Sequence, residues 1–189
     1  GYVGTFLKQI KEIAHTCKSK NIKVVTNAGG LNPQSMANEI EKILAELKID
    51  LKVAYITGDD LMPRMDDLIQ LNEPFNNIDK GTPLQESDCH TLTANAYLGA
   101  WGIKEALDLG ADIVVCPRVT DAAVVIGPAA WKFGWERNDY DKLAGALAAG
   151  HIIECGCQAT GGNYAFFKEV PSFDNCLLYT SPSPRDLGK

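Results

Sequence analysis

The chain has 189 residues, 46% of them apolar and 22% charged, and its 18 basic and 24 acidic side chains give a net charge of −6. That is enough chain for one domain with a sizeable core, and the mix excludes a disordered, collagen-like or coiled-coil chain. No apolar run approaches the roughly 20 residues of a membrane helix, and an acid excess without a basic cluster argues against nucleic acid and anionic membrane as partners.

Along the chain, helical and β-branched patterns alternate. Val3, Phe6, Leu7, Ile10, Ile13 and Ala14 recur at helical spacing over residues 3–19. Ile22-Lys23-Val24-Val25 is a short strand that runs out into Thr26-Asn27-Ala28-Gly29-Gly30. Asn32-Pro33 pairs a helix N-cap with proline at the first helical position, and Met36, Ile40, Ile43, Leu44 and Leu47 line one face of the helix that follows. Leu51 to Ile56 is a second strand, ending in Thr57-Gly58-Asp59-Asp60. A short helix is expected over 61–71, a polar loop over 72–90, and a helix over 93–109 closed by Gly110. Ile113-Val114-Val115-Cys116 is a third strand, ending in Pro117-Arg118-Val119-Thr120-Asp121, and helical patterns return at 121–133 and 139–153. Strands alternating with helices predict an α/β fold, a doubly wound and mostly parallel sheet with helices on both faces. The unbroken apolar strands agree with burial on both sides.

In such a sheet ligands bind beyond the carboxyl ends of the strands. The three exits carry Asn27, Gly29 and Gly30; Asp59 and Asp60; and Arg118, Thr120 and Asp121. The glycines would let a ligand approach the backbone closely. Arg118 suits a carboxylate, phosphate or acyl-CoA group, against the plainer reading of a salt bridge to Asp121. One of the paired aspartates is expected to cap the 61–71 helix. Neither G-x-G-x-x-G nor G-x-x-x-x-G-K-[ST] occurs, so no dinucleotide fingerprint or P-loop is present.

A second dense stretch runs from Gly150 to Asn163. If its helix reaches Glu154, His151 and Glu154 share a face at a spacing of three. That suits a metal pair or a proton-transfer pair, against a histidine whose charge complements a helix C-terminus. Gly161 and Gly162 form a loop whose backbone can cradle an anion. No metal ligand is assigned, because no second cysteine pair accompanies Cys155-Gly156-Cys157. The six cysteines are scattered rather than framework-spaced, which points to reduced thiols and a cytoplasmic setting. Trp101, Trp131, Phe133 and Trp135 fall in helical stretches and suit core or interface better than a stacking platform.

From Cys176 the chain changes character, and Cys-Leu-Leu-Tyr-Thr-Ser-Pro-Ser-Pro-Arg-Asp resembles the translation of a transposase-type sequencing adapter. Residues 176–189 are therefore expected to be a non-native tail, and 1–175 an internal part of one longer α/β domain.

The runs Val25-Thr26-Asn27-Ala28-Gly29-Gly30-Leu31-Asn32-Pro33, Gly58-Asp59-Asp60-Leu61 and Ala94-Asn95-Ala96-Tyr97-Leu98-Gly99-Ala100 resemble the acyclic terpene utilisation N-terminal family. So does the block from Ala111 through Gly162, with Cys116-Pro117-Arg118-Val119-Thr120-Asp121-Ala122-Ala123 and Gly150-His151-Ile152-Ile153-Glu154-Cys155-Gly156. The resemblance implies a domain longer than this chain and a place in catabolism of acyclic isoprenoids such as citronellol and geraniol. It carries over no catalytic residue. Strand-exit position and motif together nominate Asn27, Gly29, Gly30, Asp59, Asp60, Arg118, Thr120, Gly161 and Gly162 for substrate, and Asp121, His151 and Glu154 for catalysis. Hydration or lyase chemistry on an isoprenoid acid or acyl-CoA is one reading. A non-catalytic subunit of an acyl-CoA carboxylase-type complex is the other. The expected partners are a small-molecule substrate, an isoprenoid acid or a CoA thioester, and a second copy of the chain or an acyl-CoA enzyme; no cofactor is assigned.

Overall fold

The three β-branched runs form three short strands, β1 (Val24–Thr26), β2 (Val53–Tyr55) and β3 (Ile113–Val115), in a computed structural model that describes residues 1–71, 73, 75–88, 90–156, 166–169 and 172. The expected tail at 176–189 lies outside the described residues. All pairing is parallel and the order is β1-β3-β2, so the last strand in sequence is the central one. Val24, Val53 and Ile113 are in register, and so are Thr26, Tyr55 and Val115, which brings all three carboxyl ends to one edge.

Among the described residues six α-helices surround the sheet: α1 (Thr5–Lys20), α2 (Pro33–Glu46), α3 (Met65–Gln70), α4 (Trp101–Asp108), α5 (Ala123–Phe133) and α6 (Tyr140–Cys155). The pleat of β3 divides them. Ile113 and Val115 face one way, into a core with Ile10 and Ala14 of α1 and Met36, Ile40 and Leu44 of α2. Val114 and Cys116 face the other way, against Ile103 and Leu107 of α4 and Ala123 of α5. Each fully buried Ile, Leu or Val side chain contributes about 1.5–3 kcal/mol, so the central strand anchors both layers. The expected doubly wound arrangement is thus present, with a helical layer on each face of the sheet.

Local signals behave as their chemistry predicts at several boundaries. The Asn32 side chain accepts a hydrogen bond from the Ser35 N–H at 3.1 Å, capping α2 with Pro33 at its first position. Small residues let the outer helices approach closely. A Cβ on Gly127 of α5 would lie 2.6 Å from Ile103 Cγ2 of α4, and one on Gly150 of α6 would lie 2.9 Å from Ala122 Cβ.

The amino ends of the strands are clasped by one half-buried acid. Asp112, just before β3, pairs with Lys23 at 2.7 Å and accepts the Lys52 N–H at 2.8 Å, linking the residues that precede β1 and β2.

One expected element is corrected. The helix expected over 93–109 starts only at Trp101. Residues before it instead form isolated bridges, Asn95 to Asp60 and Leu98 to Val119. Ala94 and Ala96 favour helix, but their backbone groups are taken by long-range partners: Ala94 C=O accepts from Leu61 N–H, and Ala96 N–H donates to Asp59 C=O, each at 2.8 Å. Tertiary pairing overrides local propensity here. Among the described residues, no helix is long and apolar enough to cross a membrane.

Candidate functional site

The ladder extends one residue past the strands. Cys116 N–H donates to Thr26 C=O at 2.7 Å and Ile56 N–H to Val115 C=O at 2.9 Å, so the three exits leave the sheet side by side.

The β1 exit is a tight, packed corner. Gly30 N–H donates to Asn27 C=O, and Gly30 has φ +54°, a left-handed conformation that suits glycine. A Cβ on Gly29 would lie 2.8 Å from Pro33 Cβ and closer still to the Cys116 carbonyl. The space that a side chain at Gly29 would occupy is therefore filled by the chain's own β3 exit and the start of α2. Asn27 is exposed beside this corner.

The two aspartates of the β2 exit part company. Asp60 is exposed and its Oδ1 accepts the Met62 N–H at 2.9 Å, starting the 3-10 turn Met62–Arg64 that leads into α3. Asp60 thus makes an Asx turn ahead of the helical turn rather than the expected cap: the N-cap residues, Leu61 of the 3-10 turn and Arg64 of α3, carry no side-chain cap. Asp59 is buried, only 5% exposed. Its Oδ2 accepts from Asn95 Nδ2 at 2.9 Å and from the Arg118 N–H at 3.4 Å. One carboxylate so ties together the β2 exit, the β3 exit and the extended 95–98 segment. Asp60 and Asn95 also line a small cavity of about 120 Å³ with Leu31, Met62, Leu92 and Thr93, which reaches back toward the β1 exit.

At the β3 exit, Leu98 N–H donates to Arg118 C=O and Thr120 N–H to Leu98 C=O, at 3.0 and 2.9 Å. The Arg118 side chain leaves this clamped backbone toward solvent. Its guanidinium donates to the Tyr97 hydroxyl and lies 4.7 Å from the Tyr97 ring centroid. Among the described residues Arg118 makes no ion pair, so the alternative salt bridge to Asp121 is not formed. Thr120 and Asp121 are exposed.

The last turns of α6 lie against this end of the molecule, because Gly150 packs on Ala122, the residue after Asp121. The helix runs to Cys155, so His151 and Glu154 do share a face, and Cys155 joins them. Cys155 Sγ lies 3.8 Å from His151 Nδ1 and donates to Glu154 Oε2 at 2.9 Å. The hydrogen bond to Glu154 is the main cause that raises the Cys155 thiol above its ordinary value, with burial, the Glu154 charge and the Asp121 charge adding to it. Cys116, in contrast, is pushed up to about 12 by burial alone.

The structure therefore joins Asp59 to the Arg118 backbone, and brings Asp121, next to Ala122, toward Cys155 at the end of α6. Gly161 and Gly162 lie outside the described residues. Asn95, Tyr97 and Cys155 are members of these clusters that the sequence reading leaves out. Asn95 and Tyr97 sit in a run that reads as helix, and Cys155 follows from spacing once the helix is carried one residue past Glu154.

A family model, that of the acyclic terpene utilisation family protein AtuA, matches residues 1–178. Among curated proteins and solved structures, none matches the chain.

Proposed function

Because the chain belongs to the acyclic terpene utilisation family AtuA, whose setting is the utilisation of acyclic terpenes, we propose that it acts on an isoprenoid acid or its CoA thioester by hydration or lyase chemistry. The observation that carries this reading is Arg118: an exposed cation at the carboxyl end of the central strand, with no ion pair among the described residues and an aromatic ring beneath it. A guanidinium so held is suited to a carboxylate through two parallel hydrogen bonds. In this reading the apolar and polar walls of the cavity at Leu31, Met62, Leu92 and Asn95 receive the chain end next to the anion. Asn27, Asp60 and Thr120 form the polar rim, and Asp121, His151 and Glu154 move protons.

The test uses the full-length protein with isoprenoid acids and their CoA thioesters. Arg118→Ala is expected to weaken binding about 10- to 100-fold, the equivalent of one charge-assisted hydrogen-bond pair, with an unchanged melting temperature because the side chain is exposed. Unchanged binding in Arg118→Ala contradicts the proposal.

A second reading, a non-catalytic subunit of an acyl-CoA carboxylase-type complex, draws support from α6, which exposes Leu147 at 53% and Ile153 at 69%. Normal turnover with lost assembly on changing those two residues to serine favours this reading. Lost turnover with an intact complex in Arg118→Ala and Asp121→Ala favours the enzyme.

A further inference from the structure

The end of α6 gathers three different donor atoms on one exposed turn. Glu154 and Cys155 follow His151 by three and four residues, the two positions that flank it one turn along the helix. Their ligating atoms all lie within 4.8 Å of one another. We propose that this turn is a binding site for a divalent metal ion of the zinc class, held by His151 Nδ1, the Glu154 carboxylate and Cys155 Sγ, with a fourth position open to water.

The donor set selects the class of ion. Thiolate sulfur beside imidazole nitrogen disfavours magnesium and calcium, which take oxygen, and suits zinc, which accepts nitrogen, sulfur and oxygen together. The geometry is near what such an ion needs. With zinc–sulfur and zinc–nitrogen bonds of about 2.3 and 2.0 Å, a tetrahedral centre sets S and N about 3.5 Å apart; Cys155 Sγ and His151 Nδ1 are 3.8 Å apart. Glu154 Oε2, now 2.9 Å from the sulfur as the acceptor of its proton, needs only a side-chain rotation to widen that gap.

Binding is balanced as a proton exchange. The sulfur–hydrogen bond of Cys155 breaks, its electron pair stays on sulfur to form the metal bond, and the proton leaves to solvent. Glu154 loses the hydrogen bond that it accepts and turns an oxygen to the ion. His151 binds as neutral imidazole with its remaining proton on Nε2, and no electron is transferred.

Three features of the surroundings favour a cation here. The turn is the C-terminal end of a 16-residue helix, the negative end of its dipole. The Asp121 carboxylate, on a different element, is near enough for its charge to reach Cys155, and the contact of Gly150 with Ala122 fixes that approach. His151 and Glu154 are exposed, so a hydrated ion reaches them without an opening motion. With an ion bound, His151 and Glu154 would serve as ligands in place of the proton-carrying role read above, and the ion would supply an acidic bound water instead. The site does not depend on Arg118.

The experiment is a cobalt(II) titration of the chelator-stripped, full-length protein. A single site per chain is expected, with thiolate-to-cobalt charge-transfer absorption in the near ultraviolet and the d–d bands of a four-coordinate centre, both bleached by zinc. Cys155→Ser should lose the charge-transfer band while keeping its far-ultraviolet circular dichroism. His151→Ala should bind cobalt at least about 10-fold more weakly and decides the matter if Cys155→Ser misfolds. Arg118→Ala should bind cobalt like the parent, which separates this site from the substrate proposal. Absence of the charge-transfer band, its survival in Cys155→Ser, or parental cobalt affinity in His151→Ala overturns the site.

Discussion

Replacing Asp59 by alanine removes the one side chain among the described residues that bonds both the β3 exit and the 95–98 segment. Its Oδ2 accepts from Asn95 Nδ2 at 2.9 Å and, more weakly, from the Arg118 N–H at 3.4 Å. A hydrogen bond to a charged acceptor is worth about 1.5–3 kcal/mol, and an unpaired buried donor costs about 1–3 kcal/mol. Counting the shorter bond in full and the longer as a fraction, the expected loss is about 3 kcal/mol, which lowers Tm by about 6–12 °C for a chain of this size. Asp60→Ala is the internal control. That exposed carboxylate accepts one N–H, that of Met62 at 2.9 Å, and its loss should cost about 0.5–1 kcal/mol. Asp59→Asn keeps an acceptor and should fall between. Urea and thermal unfolding of the four proteins side by side measure the contrast. Equal losses for Asp59→Ala and Asp60→Ala would refute the assignment of Asp59 as the tie between exits, since the two adjacent residues differ in burial and in what they hold.

Gly29→Ala should lose about 1–3 kcal/mol, because its new Cβ meets the Cys116 carbonyl and Pro33, whereas Gly145→Ala, with nothing within 4 Å inside α6, should gain about 0.5–1 kcal/mol; urea midpoints read both. Burial pushes the Asp112 carboxyl up, but the Lys23 and Lys52 hydrogen bonds together outweigh it and hold the group below its ordinary value. A depressed folded pKa contributes stability above the unfolded value of about 3.9 that is lost as pH falls through the folded one, so the parent should lose stability below about pH 4 more steeply than Asp112→Asn. Cys116, buried and with its thiol pushed up to about 12, should resist iodoacetamide at pH 8 in the native protein while half-exposed Cys155, though slowed by its bond to Glu154, is labelled faster; peptide mass spectrometry distinguishes them, and native labelling of Cys116 would contradict its burial.

The legible parts of the fold are those whose cause is local. Three β-branched runs mark the strands, Asn32-Pro33 marks the start of α2, and alternation of strand and helix marks a parallel sheet. The 93–100 stretch is not legible, because the partners of its backbone, Asp59 and Arg118, lie 20 or more residues away in sequence. Local composition favours helix there, and only the assembled exits reveal the competing bonds. The same holds for the adjacent aspartates: one cap is expected from the pair, but which one is buried depends on where Asn95 and Arg118 arrive. Gly29 reads in sequence as room for a ligand, and in the fold that room is taken by the Cys116 carbonyl. At the end of α6 the spacing of His151 and Glu154 is visible in the sequence, while Cys155 joins them because the helix extends to it.

The measurement closest to the central claim is a crystal structure of the full-length protein with an isoprenoid carboxylic acid, such as the acid of citronellol, bound. The carboxylate is expected within hydrogen-bond distance of the Arg118 guanidinium, above the Tyr97 ring, with the first carbons of the chain toward Leu31 and Met62. Density for the acid in the apolar groove between β2 and α4, at Ala54, Ile56 and Leu109, with Arg118 untouched, would contradict it.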